Sequence, residues 1–286
     1  MVINDLLAKG VTMLKDLEYC NPLFESRLIL AEILNVDKSY IYTYGDKKMS
    51  EDIQNRFIEI INKRSTGYPM AYILNEKQFM GLDLYIEEGV LIPRPDTEIL
   101  VEYVINYIEN NYKESKINVL DIGIGSGAIS LSIGNYCPNT RVYGMDIGDT
   151  PIKVSNINKE KLSLANVSFH QGDLFGAIKD LELEGKCEII ISNPPYISKD
   201  QIKTLQKDVV DYEPLLALDG GIDGLDFYRK ITIEAKHYLV RGGMLIYEIG
   251  YDQGPALTNI MRQESFKDIK IIKDLQGLDR VILGLY

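Results

Sequence analysis

Hydrophobic spacing changes character twice along the chain. Up to about residue 70 the apolar positions follow helical intervals. In SEDIQNRFIEIINKRSTG, Ile53, Phe57, Ile60 and Ile61 recur at i, i+4, i+7 and i+8, the stripe of an amphipathic helix. Ser50 is placed to cap its start and Gly67 to follow its end. NPLFESRLILAEILN reads the same way, with Pro22 suited to a first helical turn. Nothing in residues 1–70 reads as a strand or as a phosphate-binding loop. A small helical domain is expected there, serving packing or partner recognition.

Residues 71–92 switch to extended character. AYILNEKQFMGLDLYIEEGVLI carries Gly81 between two extended runs, which predicts a β-hairpin linker. IPRPDTE follows, from Ile92 to Glu98. Pro93 and Pro95 force extended backbone before them, and Asp96 or Thr97 can cap the helix EILVEYVINYIENNY. From residue 117 buried strands alternate with helices. INVLDIG, RVYGMDI, VSFHQGD, CEIIISN and GGMLIYEIG are the strands. Two further strand candidates, FKDIKIIKDL and DRVILGLY, close the chain without a helix between them. Alternation of this kind predicts an α/β domain over 93–286, with a mostly parallel sheet covered on both faces and an antiparallel pair at one edge.

Composition narrows the function classes. The 286 residues are 45% hydrophobic and 26% charged, as in an ordinary soluble protein with a sizeable core. A net charge of -11 and a pI near 4.8 argue against broad phosphate-backbone binding and suit a basic protein partner. Cys20, Cys137 and Cys187 are scattered, so neither a disulfide framework nor a thiolate metal site is indicated. His170 and His237 stand far apart with no ligand-like neighbours, and no metal is expected. MVINDLLAKG lacks the features of a signal peptide, and no apolar run reaches the roughly 18–20 residues of a membrane span. The expectation is a cytoplasmic monomer with no membrane contact.

Two motifs carry candidate chemistry. VLDIGIGSGAIS sets Gly123, Gly125 and Gly127 between a strand and a helix, where backbone N–H groups meet nucleotides. The spacing is G-x-G-x-G, not the G-x-G-x-x-G of dinucleotide sites, and a packing turn is the alternative. Asp146, ending the next strand 19 residues after Gly127, is placed to accept from ribose hydroxyls. Asp121 can fix the loop or reach an ammonium group, and Asp173 ends the third strand at the adenine side. No Walker lysine is present, so a nucleoside without phosphates, such as S-adenosylmethionine, suits the loop.

The fourth strand stops on Asn193-Pro194-Pro195-Tyr196. Read alone, this is a rigid turn. Beside the glycine loop it becomes a pocket for a planar NH2: the Asn193 side-chain oxygen and the Pro194 carbonyl can both accept, and two prolines remove backbone freedom. Tyr196 offers a flat face. Methyl transfer to a conjugated amino group fits this set, because acceptors can free the nitrogen lone pair and alignment does the rest.

DIGIGSG with SNPPY resembles class I S-adenosylmethionine-dependent methyltransferases. With LIPRPDTE, DYEPLLALDGGIDGLDFYR, YEIGYDQG and DLQGLDRVILG, the chain is similar, over nearly its whole length, to the release-factor glutamine methyltransferases (the HemK/PrmC family). The resemblance implies a Rossmann-like seven-stranded methyltransferase sheet whose last strand is antiparallel. It implies methylation of the glutamine amide in the Gly-Gly-Gln motif of peptide-chain release factors, with S-adenosyl-L-homocysteine as product. Gly123, Ile124, Gly125, Ser126 and Gly127 would form the cofactor loop, with Asp121 before it. Asp146 and Ile147 would lie at the ribose, and Asp173 and Leu174 would flank the adenine. Asn193 would face both ligands. Pro194, Pro195 and Tyr196 would receive the glutamine, Arg94 would line and help close the site, and the helical domain would grip the release factor. Two positions depart from relatives: Leu174 replaces an aromatic residue, and Gly148 opens a helix.

Glu248, ending the fifth strand, reads first as a cap or ion-pair partner and second as a substrate contact. Ser198 to Gly221 is either a lid or a solvated crossover. A nucleobase amino-methyltransferase is the rival function, since a base NH2 poses the same problem to Asn193. It would call for a basic groove, which residues 1–70 do not offer.

Overall fold

Side-chain capping explains where three of the five N-terminal helices begin. The five are α1 (Ile3–Leu14), α2 (Pro22–Leu34), α3 (Lys38–Thr43), α4 (Glu51–Ser65) and α5 (Met70–Leu74) in a computed structural model that describes residues 1–113, 115–205 and 207–286. Asn21 accepts from the Phe24 amide at 3.1 Å with Pro22 in the first turn of α2, and Ser50 accepts from the Ile53 amide of α4. Acids open α4 and Lys63 and Arg64 close it, matching the helix dipole. Phe57 and Ile61 enter a core with Ile3, Leu6, Leu14, Ile29 and Leu30, while Ile53 and Ile60 pack at its margin. Inside the helical unit Arg64 of α4 meets Glu25 of α2 at 2.7 Å and also donates to the Tyr68 carbonyl at 3.2 Å. The pair joins α2 to α4.

Burial and the neighbouring Glu25 push the Cys20 thiol up to about 12. Burial, with nearby glutamates, lifts Cys137 to about 11 and Cys187 to about 12. At pH 8 all three are protonated and poorly reactive. The folded chain is therefore expected to react with a colorimetric thiol reagent far more slowly than the urea-unfolded chain; equal rates would contradict the burial.

The hairpin comprises β1 (Glu76–Phe79) and β2 (Leu82–Tyr85), turned by Met80 and Gly81, both at positive φ as a two-residue type I′ turn requires. The extended run predicted from residue 71 starts only at Glu76. Met70–Leu74 is instead a single helical turn, opened by Pro69 and ended by Asn75 in the left-handed region. The next helix, α6 (Thr97–Asn111), also differs in detail. Asp96 occupies its N-cap position without a capping bond, because its carboxylate pairs with Arg280 at 3.2 Å.

The α/β unit continues with β3 (Ile117–Ile122), α7 (Ala128–Tyr136), β4 (Thr140–Asp146), α8 (Asp149–Lys161), β5 (Val167–Gln171) and β6 (Cys187–Ser192). Two short helices, α9 (Lys199–Ile202) and α10 (Lys207–Tyr212), precede α11 (Asp226–Tyr238), β7 (Leu239–Glu248), α12 (Gly254–Gln263), β8 (Lys267–Lys273) and β9 (Asp279–Leu285). The seven strands lie in the order β5-β4-β3-β6-β7-β9-β8. The first five are parallel, and β9 runs antiparallel to both its neighbours, so the Rossmann-like seven-stranded sheet is as expected. β3 and β6 are buried on all but one residue, as strands covered on both faces are. The β8 edge carries Lys267, Lys270 and Lys273, which oppose pairing with another chain. After β5 the chain returns past β3 to form β6. That makes the β3/β6 boundary the topological switch point, where open α/β sheets bind ligands.

Residues 207–212 group with Met1–Glu76, whereas Lys77–Leu205 and Glu213–Tyr286 form the α/β unit. No helix among the described residues is long and apolar enough to cross a membrane.

Candidate functional site

A cavity of about 370 Å3 opens at the carboxyl ends of the central strands. Its volume is in the range of small-ligand sites. Arg94, Gly123, Ile124, Gly125, Ser126, Asp146, Ile147, Asp173, Leu174, Asn193, Pro194 and Pro195 line it. Asp121, Gly127 and Tyr196 do not; they stand behind the wall, for reasons their contacts supply.

The glycine loop divides its work. Gly123, Gly125 and Gly127 have φ of +79°, +54° and +81°, a conformation that side chains disfavour. A Cβ on Gly127 would come within 3.0–3.1 Å of Leu131, Phe169 and Ser155, so this glycine serves helix–strand packing. A Cβ on Gly123 would meet nothing within 4 Å, so this glycine keeps the cavity floor open. The packing reading that the sequence left in play thus holds for Gly127. Asn158 of α8 donates to the Ser126 carbonyl at 3.0 Å and to the Tyr85 carbonyl at 3.0 Å, tying the loop to the hairpin.

Asp121 fixes the start of α7. One oxygen accepts from the Ser130 amide at 3.0 Å and its hydroxyl at 2.5 Å, while the other has no partner. Burial, aided by nearby Asp146, pushes its carboxyl up to about 7 against the pull of Ser130. A folded-state value above the unfolded one of ~3.9 means stability that is present below pH ~4 and lost as pH rises through 7. Asp121→Asn mimics the protonated acid. It is expected to melt higher than the parent at pH 8 and alike at pH 5; equal differences at both would refute a buried titrating group.

Asp146 is anchored at both oxygens, accepting from the Gly125 amide at 3.1 Å and the Gly148 amide at 3.0 Å. Burial raises its affinity for a proton, and the amides of Gly148, Gly125 and Ile147 counter it. Gly148 is explained by a close approach, since a Cβ there would lie 2.8 Å from Pro151. Ile147, 62% exposed, extends beyond Asp146 on the cavity wall. Asp173, exposed and making no side-chain cap bond, and Leu174, held at φ +47°, also line the cavity.

The strand tip sits one step from the loop, Ser192 pairing in register with Ile122 and donating to its carbonyl at 2.7 Å. The Asn193 NH2 donates to the Thr97 hydroxyl at 3.3 Å, and Thr97 donates to the Glu248 carboxylate at 2.5 Å. No donor among the described residues is used on the Asn193 side-chain oxygen or the Pro194 carbonyl. Two acceptors on a rigid tip therefore remain available beside the glycine loop.

Comparison with known proteins identifies the family. A model of the PrmC N-terminal domain matches residues 5–74, and a model of a methyltransferase domain matches residues 113–273. The release factor glutamine methyltransferase of Clostridium acetobutylicum is 43% identical over 287 aligned positions, spanning 100% of this chain and 99% of its own. That of Clostridium botulinum is 41% identical, with 99% and 98% covered. The chain belongs to the release factor glutamine methyltransferase family. The crystal structure of a methyltransferase from Pyrococcus furiosus, 18% identical, shares its fold with a TM-score of 0.50 over 81% of this chain and 98% of that one.

In this member of the release factor glutamine methyltransferase family the tip is braced by residues distant in sequence. The Tyr196 carbonyl accepts from Gln253 at 2.9 Å, Ile197 donates to Leu218 at 3.0 Å, and Gly220 donates to Ile197 at 2.9 Å. These bonds hold Tyr196 against the core, which is why its ring is not on the cavity wall as expected. Burial and the charge of Glu248 push its phenol well up, so it stays neutral. The Arg94 guanidinium pairs with the buried Glu213 carboxylate, which also accepts from the Ile92 amide at 3.3 Å. Pro214, Leu216 and Ala217 then line the cavity. The Ser198–Gly221 segment, apart from residue 206, which lies outside the described residues, is thus neither a plain crossover nor solvated throughout. Nothing in the sequence pointed to Gln253 or Glu213, Thr97 read there only as a helix cap, and Glu248 read first as a cap or ion-pair partner. Only the position of Glu248 at the same sheet edge as Asn193 could have signalled it.

Proposed function

We propose that this chain transfers a methyl group from S-adenosylmethionine to the side-chain amide nitrogen (N5) of the glutamine in the Gly-Gly-Gln motif of peptide-chain release factors. The observation that carries the reading is the pair of unused acceptors, Asn193 Oδ1 and the Pro194 carbonyl, beside the glycine loop in a chain of this family. The residues fit the cofactor. Gly123 leaves the floor open, and Asp146 and Asp173 place carboxylates where ribose and adenine donors would meet them. Ile147 and Leu174 supply apolar flanks. The bonds from Ser130 give Asp121, behind the wall, the loop-fixing role.

S-adenosylmethionine, when bound, supplies a methyl group on a cationic sulfur. The chain's part is to hold the glutamine amide. Asn193 Oδ1 and the Pro194 carbonyl accept its two N–H bonds and bias the nitrogen toward a tetrahedral shape, freeing the lone pair for attack. A nitrogen–methyl bond forms, the sulfur–methyl bond breaks with its electron pair going to sulfur, and the amide nitrogen then loses a proton to solvent. No strong base is required of the chain, and the neutral Tyr196 phenol is not one. Arg94 with Glu213 borders the substrate side, and Tyr196 backs the tip instead of stacking on the substrate. The helical unit is assigned to gripping the release factor. A cytoplasmic monomer that binds no nucleic acid completes the reading.

Radiolabelled methyl transfer tests it. Label is expected on a release factor and absent from its Gln-substituted variant. Label on DNA or RNA with none on release factor would establish the nucleobase reading instead.

A further inference from the structure

Resting on that reading, we propose that Thr97 and Glu248 are positioning residues that lock the Asn193 amide in one orientation, with its NH2 toward the protein and its oxygen left for the substrate. An asparagine amide carries a donor and an acceptor of nearly equal shape, and only its partners decide which faces which way. Here the partners form a one-way chain. Glu248, 2% exposed, ends β7 at the same edge as the tip. Burial raises its carboxyl to about 7, and above that pH the carboxylate can only accept. Thr97 has one hydroxyl hydrogen and gives it to Glu248 at 2.5 Å. The Thr97 oxygen can then only accept, and the group 3.3 Å away on Asn193 must be the NH2. A flipped amide would turn its NH2 on the substrate, donor against donor.

Three elements converge to make this chain. Thr97 is the first residue of α6, placed by the IPRPDTE turn through its amide's bond to the Arg94 carbonyl at 3.1 Å. Asn193 follows β6, and Glu248 ends β7, whose register pairs Glu248 with Val281 of β9. Burial is the larger influence on Glu248, and the bond from Thr97 and the positive charge of Arg280, the next residue toward the β9 start, oppose it without outweighing it. The IPRPDTE motif thereby serves the acceptor through Thr97, separately from Arg94 at the cavity wall.

The test pairs a substrate-independent readout with kinetics. In the full-length protein, the Asn193 side-chain NH2 signals, identified by their loss in Asn193→Ala, are followed by solvent exchange in NMR. Protection is expected in the parent and in Thr97→Ser, which keeps the hydroxyl. It is expected to be lost in Thr97→Val and Thr97→Ala, two variants whose folding is checked by melting. At saturating cofactor, kcat on release factor should fall about 10- to 100-fold in the variants lacking the hydroxyl and recover in Thr97→Ser. The cofactor Kd should stay within about twofold of the parent. An unprotected NH2 in the parent, or parental kcat in Thr97→Val, overturns the proposal. A parent that moves no methyl to release factor overturns the functional reading alone, since amide protection still decides the orientation.

Discussion

Asn193→Ala is expected to lower kcat by about 100- to 1,000-fold while leaving cofactor affinity nearly unchanged. The asymmetry follows from what the side chain can reach. Its NH2 is spent on Thr97, so the oxygen is what it offers to the cavity. The glycine loop and Asp146 are held by their own bonds, from Gly125 and Gly148, and none passes through Asn193. Deleting the amide removes one of the two acceptors proposed to reshape the substrate nitrogen, a loss expected mainly where the nitrogen pyramidalises. Single-turnover methyl transfer at saturating cofactor, with calorimetric cofactor binding alongside, separates the effects. Parallel losses in both would move Asn193 into the cofactor pocket.

Gly224→Val should be the most damaging change outside the cavity, costing about 3 kcal/mol or more of stability and abolishing turnover. Gly224 sits at φ +74°, and a Cβ there would lie 2.3 Å from the Tyr196 carbonyl oxygen and 2.8 Å from the Gln253 amide nitrogen. Backbone oxygen cannot yield as a flexible side chain could. The clash falls on the bond that braces the tip, so Asn193 and Pro194 shift with it. Gly242→Ala is the control. Its φ is +77° with nothing within 4 Å, so it reports backbone strain alone, about 1–2 kcal/mol. Urea denaturation of both variants checks this; equal destabilisation would show that the close approach at Gly224 costs nothing.

Much of the site was legible in the chain because it is built from local rules. Gly123, Gly125 and Gly127 need positive φ immediately after a buried strand, and Asn193 to Pro195 need a rigid stop after another. Both requirements are written within a few neighbouring residues. Strand alternation then puts the two motifs at one sheet edge. Where local rules competed, tertiary contacts won. Asp96 has the right chemistry for a cap, but Arg280 takes its carboxylate. At residues 71–75 the competition was itself local, since Pro69 and Asn75 bracket a helical turn against the extended propensity between them.

By itself, then, the sequence determined the α/β class, the sheet's composition, the glycine loop, the acceptor tip and the resemblance to a methyltransferase family. Those depend on hydrophobic period and on residues that restrict their own backbone. Only the tertiary structure decided that Tyr196 faces the core, that Asp121 works from behind the wall, and that Glu213 holds Arg94. It alone joined Thr97 to Glu248, 151 residues apart, so that an asparagine amide with two nearly identical ends has a single orientation. Orientation of that kind is set by who donates to whom across the fold, and no stretch of neighbouring residues encodes it.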